Sequence, residues 1–361
     1  MKVGLAGWWQ TQSTPAIPRA TLNAAADLGG KTVLVLGANA GLGLEAAANF
    51  ARLVPAPGRI ILACRSAERG EKALAHVKTT TGYEGKLEVW QVDLCELASV
   101  VRFADRFDAD GGRLDVLVAN AAIMPQVYHA TKDGFEESLQ VAAIATPHVI
   151  LRLLPAMLRT AAEHKTLPRI VVVSSDGHYW AQIDERVWDA PGPDAGILRT
   201  LGSAAYCAQK GAIFARYSIT KLLNVFFMRA LAARLPADPG SGPVPRVVVN
   251  AVHPGMCITD IFAKFPLPVR ALIRGAQRLV AYTADEGARF LVWAAVGDAA
   301  ALRGQYIGGG RPQESSDFVL SERGQRAQES LWAEVLDILG DVDPKVLSIV
   351  REYLEEPKQH A

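Results

Sequence analysis

A glycine-rich segment near the amino terminus constrains the fold of this chain more than any other feature. The apolar run 31–36 leads directly into Gly37-Ala38-Asn39-Ala40-Gly41-Leu42-Gly43, and a helix-forming run, Leu44-Glu45-Ala46-Ala47-Ala48, follows. Glycines at a strand-to-helix turn permit positive φ, let the backbone approach a phosphate and leave helix N–H groups to bind it. The segment therefore predicts the first βα unit of a nucleotide-binding domain. Its candidate cofactor-binding residues are Gly37, Asn39, Gly41, Leu42 and Gly43.

Short apolar runs alternate with segments of helical periodicity along the rest of the chain. The predicted strands are 31–36, 59–63, 87–92, 114–119, 169–173, 246–252 and 305–307, and the predicted helices are 42–53, 67–79, 97–108, 134–164, 217–235 and 285–295. Several strands are rich in Val, Ile and Leu without alternation, which is typical of strands covered on both faces. The pattern predicts the α/β class, with a single doubly wound, Rossmann-type parallel sheet.

Composition excludes several classes of protein. Half of the 361 residues are apolar, and 38 Lys and Arg against 37 Asp and Glu leave a formal charge of +1, whereas nucleic-acid-binding proteins usually have a basic surplus. The four cysteines have neither metal-ligand nor disulfide-framework spacing. We expect no metal site, no nucleic-acid partner, no secretory leader and no integral membrane segment, and therefore a cytoplasmic protein.

The end of the second predicted strand indicates the type of cofactor. Arg65 follows Cys64 at the point where an NAD site would have a carboxylate to bind the ribose 2′-hydroxyl. An arginine at that position can accommodate a 2′-phosphate instead. The sequence therefore favours NADP(H).

The order of further motifs over about residues 30–310 resembles that of the short-chain dehydrogenase/reductase family. The matching segments are the glycine turn, Val92-Asp93-Leu94, Ala119-Asn120-Ala121-Ala122, Ser174-Ser175, Tyr217-Ser218-Ile219-Thr220-Lys221 and His253-Pro254-Gly255. The resemblance implies a cofactor pocket that also includes Arg65, Asp93, Leu94, Asn120, Ala121, Tyr217, Lys221, Pro254, Gly255, Cys257 and Thr259. Segments 63–66, 177–178 and 221–225 are similar to the retinol-dehydrogenase-like branch and its fungal relatives, which implies a role in fungal secondary metabolism.

Ser175, Tyr217 and Lys221 are the candidate catalytic residues. Tyr217 and Lys221 stand at positions i and i+4 of one predicted helix, so the ammonium can lie near the phenol and lower its pKa. Ser175, at the end of a parallel strand, could hydrogen-bond a substrate carbonyl. The segment from Tyr206 to Lys210 has the same spacing but lies in a Pro- and Gly-rich insertion, so Tyr217 is the preferred proton donor or acceptor.

Two positions depart from the family pattern. Leu36 replaces the structural threonine before the glycine turn, and Ala142 replaces the asparagine that completes the family's catalytic tetrad. The family asparagine helps to hold a water between the lysine and solvent, so its replacement puts the proton relay in doubt. The expected activity is reduction of a ketone or aldehyde, or the reverse oxidation. The alternative is a non-redox enzyme or a cofactor-binding scaffold.

The remaining segments suggest how substrate and subunits are bound. Segment 261–279 is amphipathic and lies where the family has its substrate lid, which predicts an apolar substrate and leaves membrane-surface docking as an alternative. Asp176 and His178 could reach a substrate or be structural, and His253 is interpreted as structural. The predicted divisions are an arm at 1–30, lying on the surface or disordered, an NADP-binding catalytic domain at 31–320 with an insertion at 180–213, and a helical extension at 321–361. The extension is expected to pack on the domain or on a sister subunit of a homo-oligomer.

Overall fold

One eight-stranded sheet forms the centre of the molecule. The computed structural model describes residues 12–184, 187, 196–209, 211–236, 246–262, 265 and 267–355. Its strands are β1 (Thr32–Leu36), β2 (Arg59–Cys64), β3 (Lys86–Gln91), β4 (Val116–Ala119), β5 (Arg169–Val173), β6 (Val248–His253), β7 (Tyr306–Gly308) and β8 (Arg311–Gln313). Their order across the sheet is β3-β2-β1-β4-β5-β6-β7-β8, and all neighbours are parallel except β7 and β8. The predicted doubly wound sheet is confirmed.

Helices cover both faces of the sheet. They are α1 (Arg19–Ala25), α2 (Gly41–Ala51), α3 (Ala67–Thr81), α4 (Leu97–Asp110), α5 (Glu137–His164), α6 (Ile197–Gly202), α7 (Ala204–Cys207), α8 (Ala212–Arg234), α9 (Leu267–Val280), α10 (Ala284–Val296), α11 (Ala299–Leu302), α12 (Asp317–Leu320), α13 (Glu322–Val342) and α14 (Lys345–Tyr353). Successive residues of β1 point to opposite faces. Val33 and Val35 join a core with α2 and α10, whereas Leu34 and Leu36 join a core with α4, α5 and α8. Both faces are therefore apolar, as the strand composition predicts.

Local capping explains where several helices begin. The Ser66 hydroxyl accepts a hydrogen bond from the Arg69 N–H at 3.2 Å and caps α3. Thr283 and Glu286 form a reciprocal capping box at the start of α10. Helix α8 begins at Ala212, earlier than the predicted 217, so Tyr217 lies inside the helix and not at its start.

The amino-terminal arm packs on the domain from residue 12 onward. Leu22 of α1 is buried, and the Gln12 side chain hydrogen-bonds the backbone of Met256, before α9, and of Val280, the last residue of α9. Residues 12–30 therefore lie on the surface of the domain, which is one of the two predicted alternatives. The alternative of disorder is wrong for these residues, because they bury apolar surface and satisfy buried backbone groups. Residues 1–11 lie outside the described part of the chain.

The carboxy-terminal helices pack against α5 and α8. The Phe227 and Trp332 rings stack with centroids 5.9 Å apart. The Asp343 carboxylate lies 2.9 Å from His148 Nε2 and accepts a hydrogen bond from Arg152 at 2.5 Å, and all three side chains are buried. These contacts join the helical region after the sheet to the rest of one domain.

Helix α5 is the one described helix long and apolar enough to span a membrane. Its most apolar stretch of 18 residues is 94% buried inside the protein, as expected for a core helix.

Candidate active site

A cavity of about 720 Å³ opens at the carboxyl ends of the parallel strands. Open α/β sheets bind their ligands at this edge. The predicted site residues that line it are Gly37, Asn39, Gly41, Leu42, Arg65, Asp93, Leu94, Asn120, Ala121, Ser175, Tyr217, Lys221, Pro254, Gly255, Cys257 and Thr259. Gly43 is the exception. It packs beneath the turn, where a Cβ would lie 2.3 Å from the Gly37 carbonyl oxygen.

The glycine turn presents a helix amino terminus to the cavity. Gly41, the first residue of α2, has a φ of +56°, which disfavours other side chains. Ala40 before it provides no side-chain cap, so the first N–H groups of α2 are available to an anion. Asn120 stabilises the turn from β4, since its Nδ2 donates to the Leu36 and Gly37 carbonyls at 3.2 and 3.3 Å.

Two arginines lie at the end of the cavity formed by β2 and α3. Arg65 and Arg69 both line the cavity and both have exposed side chains. The Arg69 guanidinium lies beside Asn39 of the glycine turn, and with the amide oriented to satisfy both groups its oxygen accepts two hydrogen bonds of 3.1 Å. Arg69 was not predicted, because in the sequence it is one charged residue among several on a surface helix.

Ser175, Tyr217 and Lys221 meet in the middle of the cavity. Ser175 accepts a hydrogen bond from the Gly177 N–H at 3.1 Å and is hydrogen-bonded to the Tyr217 side chain. Lys221 Nζ lies 5.5 Å from the Tyr217 ring centroid and donates to the Val173 carbonyl at 2.8 Å. The strand β5 and the helix α8 thus bring together the three residues that the sequence singled out.

Burial controls the proton affinities of this group. It raises the pKa of Tyr217 to about 12, although the hydrogen bond with Ser175 acts in the opposite direction. It lowers the pKa of Lys221 to about 8. The Tyr217 pKa is therefore raised and not lowered as predicted, because desolvation of the phenol is the largest influence on it. Tyr217 is therefore protonated at neutral pH and can act as a proton donor.

The competing tyrosine lies away from these residues. Tyr206 is in α7, does not line the cavity, and has the Arg216 guanidinium 5.7 Å from its ring centroid. Lys210 lies outside the described residues. The arrangement favours Tyr217 as the acid.

Ala142 lies beside the cavity in an irregular part of α5. Residues Gln140–Ala145 form a π-helical turn, a rare feature that often accompanies functional sites. Val141 lines the cavity, whereas Ala142 is buried next to it. Leu36, the other departure, is fully buried and fills the core under the glycine turn.

The cavity that contains Ser175 also has apolar residues in its wall. Ile123, Met124, Val141, Trp180 and Ile261 contribute to its wall, and Trp180 is 62% exposed at the rim. The predicted lid corresponds to α9, of which Leu267 is 70% exposed. Residues 263, 264 and 266 of that segment lie outside the described part. Asp176 and His253 also line the cavity, whereas His178 is buried behind it.

Comparison with known sequences gives consistent results. A family model described as short chain dehydrogenase matches residues 31–181. A short chain dehydrogenase, atnD, from Emericella nidulans is 37% identical over 281 residues, covering 76% of this chain and 82% of the relative. A short chain dehydrogenase/reductase, dmxR8, from Cryptosporiopsis sp. is 32% identical over 343 residues, covering 95% of this chain and 99% of the relative.

Solved structures have the same fold. An uncharacterized protein from Mycobacterium paratuberculosis aligns with a TM-score of 0.61 at 25% identity, covering 90% of this chain and 97% of that one. YwfH, an NADPH-dependent reductase involved in bacilysin biosynthesis, aligns with a TM-score of 0.55 at 17% identity, covering 79% of this chain and all of that one.

Proposed function

Because this chain belongs to the short-chain dehydrogenase/reductase family, with fungal relatives, we propose that it is an NADP(H)-dependent oxidoreductase acting on an apolar carbonyl compound or the corresponding alcohol. The observation that carries the proposal is the meeting of Ser175, Tyr217 and Lys221 in one cavity. The direction best supported is reduction of a ketone or aldehyde, since Tyr217 has its pKa raised to about 12 by desolvation and holds its proton at neutral pH.

The residues present fit a phosphorylated dinucleotide. The uncapped amino terminus of α2 would hold the pyrophosphate, because its N–H groups and helix dipole favour an anion. Arg65 and Arg69 would hold the ribose 2′-phosphate, and the adenine would contact Asp93 and Leu94. Asn120, Ala121, Pro254, Gly255, Cys257 and Thr259 would form the wall near the nicotinamide.

The chain's own residues supply the acid chemistry. NADPH, when bound, supplies a hydride to the carbonyl carbon. Tyr217 donates its phenolic proton to the carbonyl oxygen, and Ser175, which is already hydrogen-bonded to Tyr217, positions that oxygen. Lys221 places a cation near the phenol, which stabilises the phenolate after the proton has left.

The cavity wall suggests the class of substrate. The apolar residues of the cavity wall, together with exposed Trp180, favour an apolar small molecule. The fungal relatives favour a role in secondary metabolism. We also propose a cytoplasmic location and a homo-oligomeric assembly, with the divisions 1–30, 31–320 and 321–361 as the arm, the catalytic domain and the extension.

Measuring ketone reduction by the Tyr217→Phe variant tests the assignment of Tyr217 as the proton donor. The wild-type protein is mixed with NADPH and a panel of apolar ketones and quinones, and loss of the reduced cofactor is followed by absorbance. Tyr217→Phe should still bind NADPH and lose about 10²-fold or more in turnover, since it lacks the proton donor. Full activity in this variant overturns the catalytic assignment.

This chain has Ala142 at the position of the family's tetrad asparagine, and that difference supports a second candidate function. A non-redox enzyme or cofactor-binding scaffold on this fold would bind NADPH tightly and oxidise none of it across the panel. That outcome would replace the oxidoreductase proposal.

A further inference from the structure

A largely buried polar cluster borders the cavity next to the candidate catalytic serine. Asp176 follows Ser175, His253 ends β6 and Tyr306 begins β7, and these three residues are at most 5% exposed. The Tyr306 hydroxyl donates to Asp176 Oδ1 at 2.9 Å. His253 Nε2 lies 3.1 Å from Asp176 Oδ2, although neither atom has a well-aligned hydrogen-bond partner among the described residues. The Asp176 carboxylate thus lies between side chains from the end of β6 and the start of β7.

The other nitrogen of His253 reports the tautomer of the ring. The Gly255 N–H donates to His253 Nδ1 at 3.1 Å, so Nδ1 must carry a lone pair. Burial lowers the pKa of His253, which makes the ring neutral at pH 7. The single ring proton therefore belongs on Nε2, the nitrogen that faces the Asp176 carboxylate.

The neighbouring histidine has the opposite tautomer and a different set of partners. His178 Nε2 accepts from the Ser316 N–H at 3.3 Å, and its Nδ1 lies 2.9 Å from the Ser175 carbonyl, to which it donates. Burial lowers the pKa of His178 to about 4, so this ring is neutral as well. His178 therefore holds the backbone of Ser175, and both of its ring nitrogens have partners other than Asp176.

We infer that Asp176 is a positioning residue whose carboxylate fixes the Nε2–H tautomer of His253 and thereby holds the Gly255 amide in the cavity wall. Gly255 lines the cavity beside Pro254, so the hydrogen bond to His253 sets the backbone of the segment that leaves β6. A carboxylate that orients an imidazole through its second nitrogen is a common device in enzyme sites. The inference rests on the proposed function only in taking that wall to be part of the cofactor site.

Asp176→Asn is the sharpest test because it keeps the shape of the side chain. The new amide oxygen can still accept from Tyr306, which leaves the amide N–H groups facing His253 Nε2. The proton of the His253 ring would then move to Nδ1. The Nδ1–H and the Gly255 N–H would face each other as two donors, and the hydrogen bond between them would be lost. We expect ¹⁵N spectra of the ligand-free protein to show the inverted tautomer at His253, and the Kd for NADPH to rise about tenfold.

Two further variants separate tautomer control from a loss of packing. Tyr306→Phe removes one hydrogen bond to Asp176 and keeps the carboxylate, so the His253 tautomer should stay unchanged and the Kd should change less than about threefold. His253→Asn supplies an amide oxygen near the position of Nδ1 and identifies the His253 signals by their loss. In the His253→Asn background, Asp176→Asn should add no further rise in Kd, because no tautomer remains to be selected.

The tautomer of His253 is measured without substrate. The result therefore tests the inference whether or not the protein reduces a ketone. An Nδ1–H tautomer in the wild-type protein overturns the inference, even if Asp176→Asn fails to fold. An unchanged His253 tautomer in folded Asp176→Asn overturns it too. So does a rise in Kd that is equal in Asp176→Asn and Tyr306→Phe.

Discussion

The Lys221 ammonium donates a hydrogen bond of 2.8 Å to the backbone carbonyl of Val173, which joins α8 to the last residue of β5. Lys221 is 2% exposed, and burial lowers its pKa to about 8. A backbone carbonyl compensates a buried positive charge less well than a carboxylate does. The candidate site is therefore held together at a cost in folding stability.

Replacement of Lys221 by methionine should stabilise the fold and abolish turnover. The folded-state pKa of about 8 lies below the ordinary value of 10.5, so the unfolded chain binds more protons between these pH values and wild-type stability rises with pH across them. At pH 7 the lowered pKa of Lys221 reduces the unfolding free energy of the wild type by about 3 kcal/mol. Lys221→Met removes that loss, and denaturant titration should show a higher unfolding free energy.

The pH dependence provides the control for that prediction. The advantage of Lys221→Met over the wild type should shrink from pH 8 to pH 10.5, because the wild-type amine loses its charge in the folded state. An advantage that stays constant over this interval would show that packing and not charge burial is responsible.

Sequence reasoning predicted those parts of the molecule that local pattern determines. The glycine turn, the parallel strands and the residues at the strand ends follow from apolar periodicity and motif order. Strand β8 was missed because it is three residues long, contains Pro312 and has no apolar run. The pairing of Asp176 with His253 depends on β5 and β6 lying side by side, and the burial of both depends on tertiary packing, so neither could be predicted from residue types alone.

Arg65 and Arg69 should discriminate between the two nicotinamide cofactors. Each charge-assisted contact with a 2′-phosphate should contribute enough that Arg65→Ala or Arg69→Ala raises the Kd for NADPH about tenfold. The Kd for NADH should stay nearly constant, since it lacks that phosphate. Fluorescence titration of both cofactors measures the ratio.

Lys72→Ala is the matched control for the arginine variants. Lys72 is on the same helix as Arg69, but its exposed side chain pairs with Glu68 and does not line the cavity. It should leave both affinities unchanged. Equal losses for NADPH and NADH in the arginine variants would contradict binding of the 2′-phosphate.

Gln12 should hold α9, the predicted lid, through its contacts with the backbone. Its side chain donates to the Met256 and Val280 carbonyls at 3.2 and 2.6 Å and accepts from the Met256 N–H at 2.7 Å, so it connects the segment before α9 to the last residue of α9. Gln12→Ala should accelerate hydrogen exchange at the Met256 amide and raise KM for the ketone about threefold, because the lid opens more often.

Arg19→Ala tests whether the arm acts as a whole. Arg19 pairs with Asp285 at 2.8 Å on the surface and does not contact the lid segment in the described interactions. Its removal should leave both the exchange rate and KM unchanged. Similar effects from both variants would indicate general loosening of the arm and would contradict a specific role for Gln12.

Ala142 should limit turnover if its substitution for asparagine has removed a proton route to Lys221. Ala142→Asn restores an amide in the π-helical turn, and kcat with saturating ketone and NADPH should rise about two- to tenfold. Ala143→Asn is the control, because it places the same amide at the next buried position. Both variants should lose folding stability from burying the amide, but only Ala142→Asn should show the rise in kcat. If Ala142→Asn folds and its kcat equals that of the wild type, protons already reach the site by another route, and Ala142 does not slow the reaction.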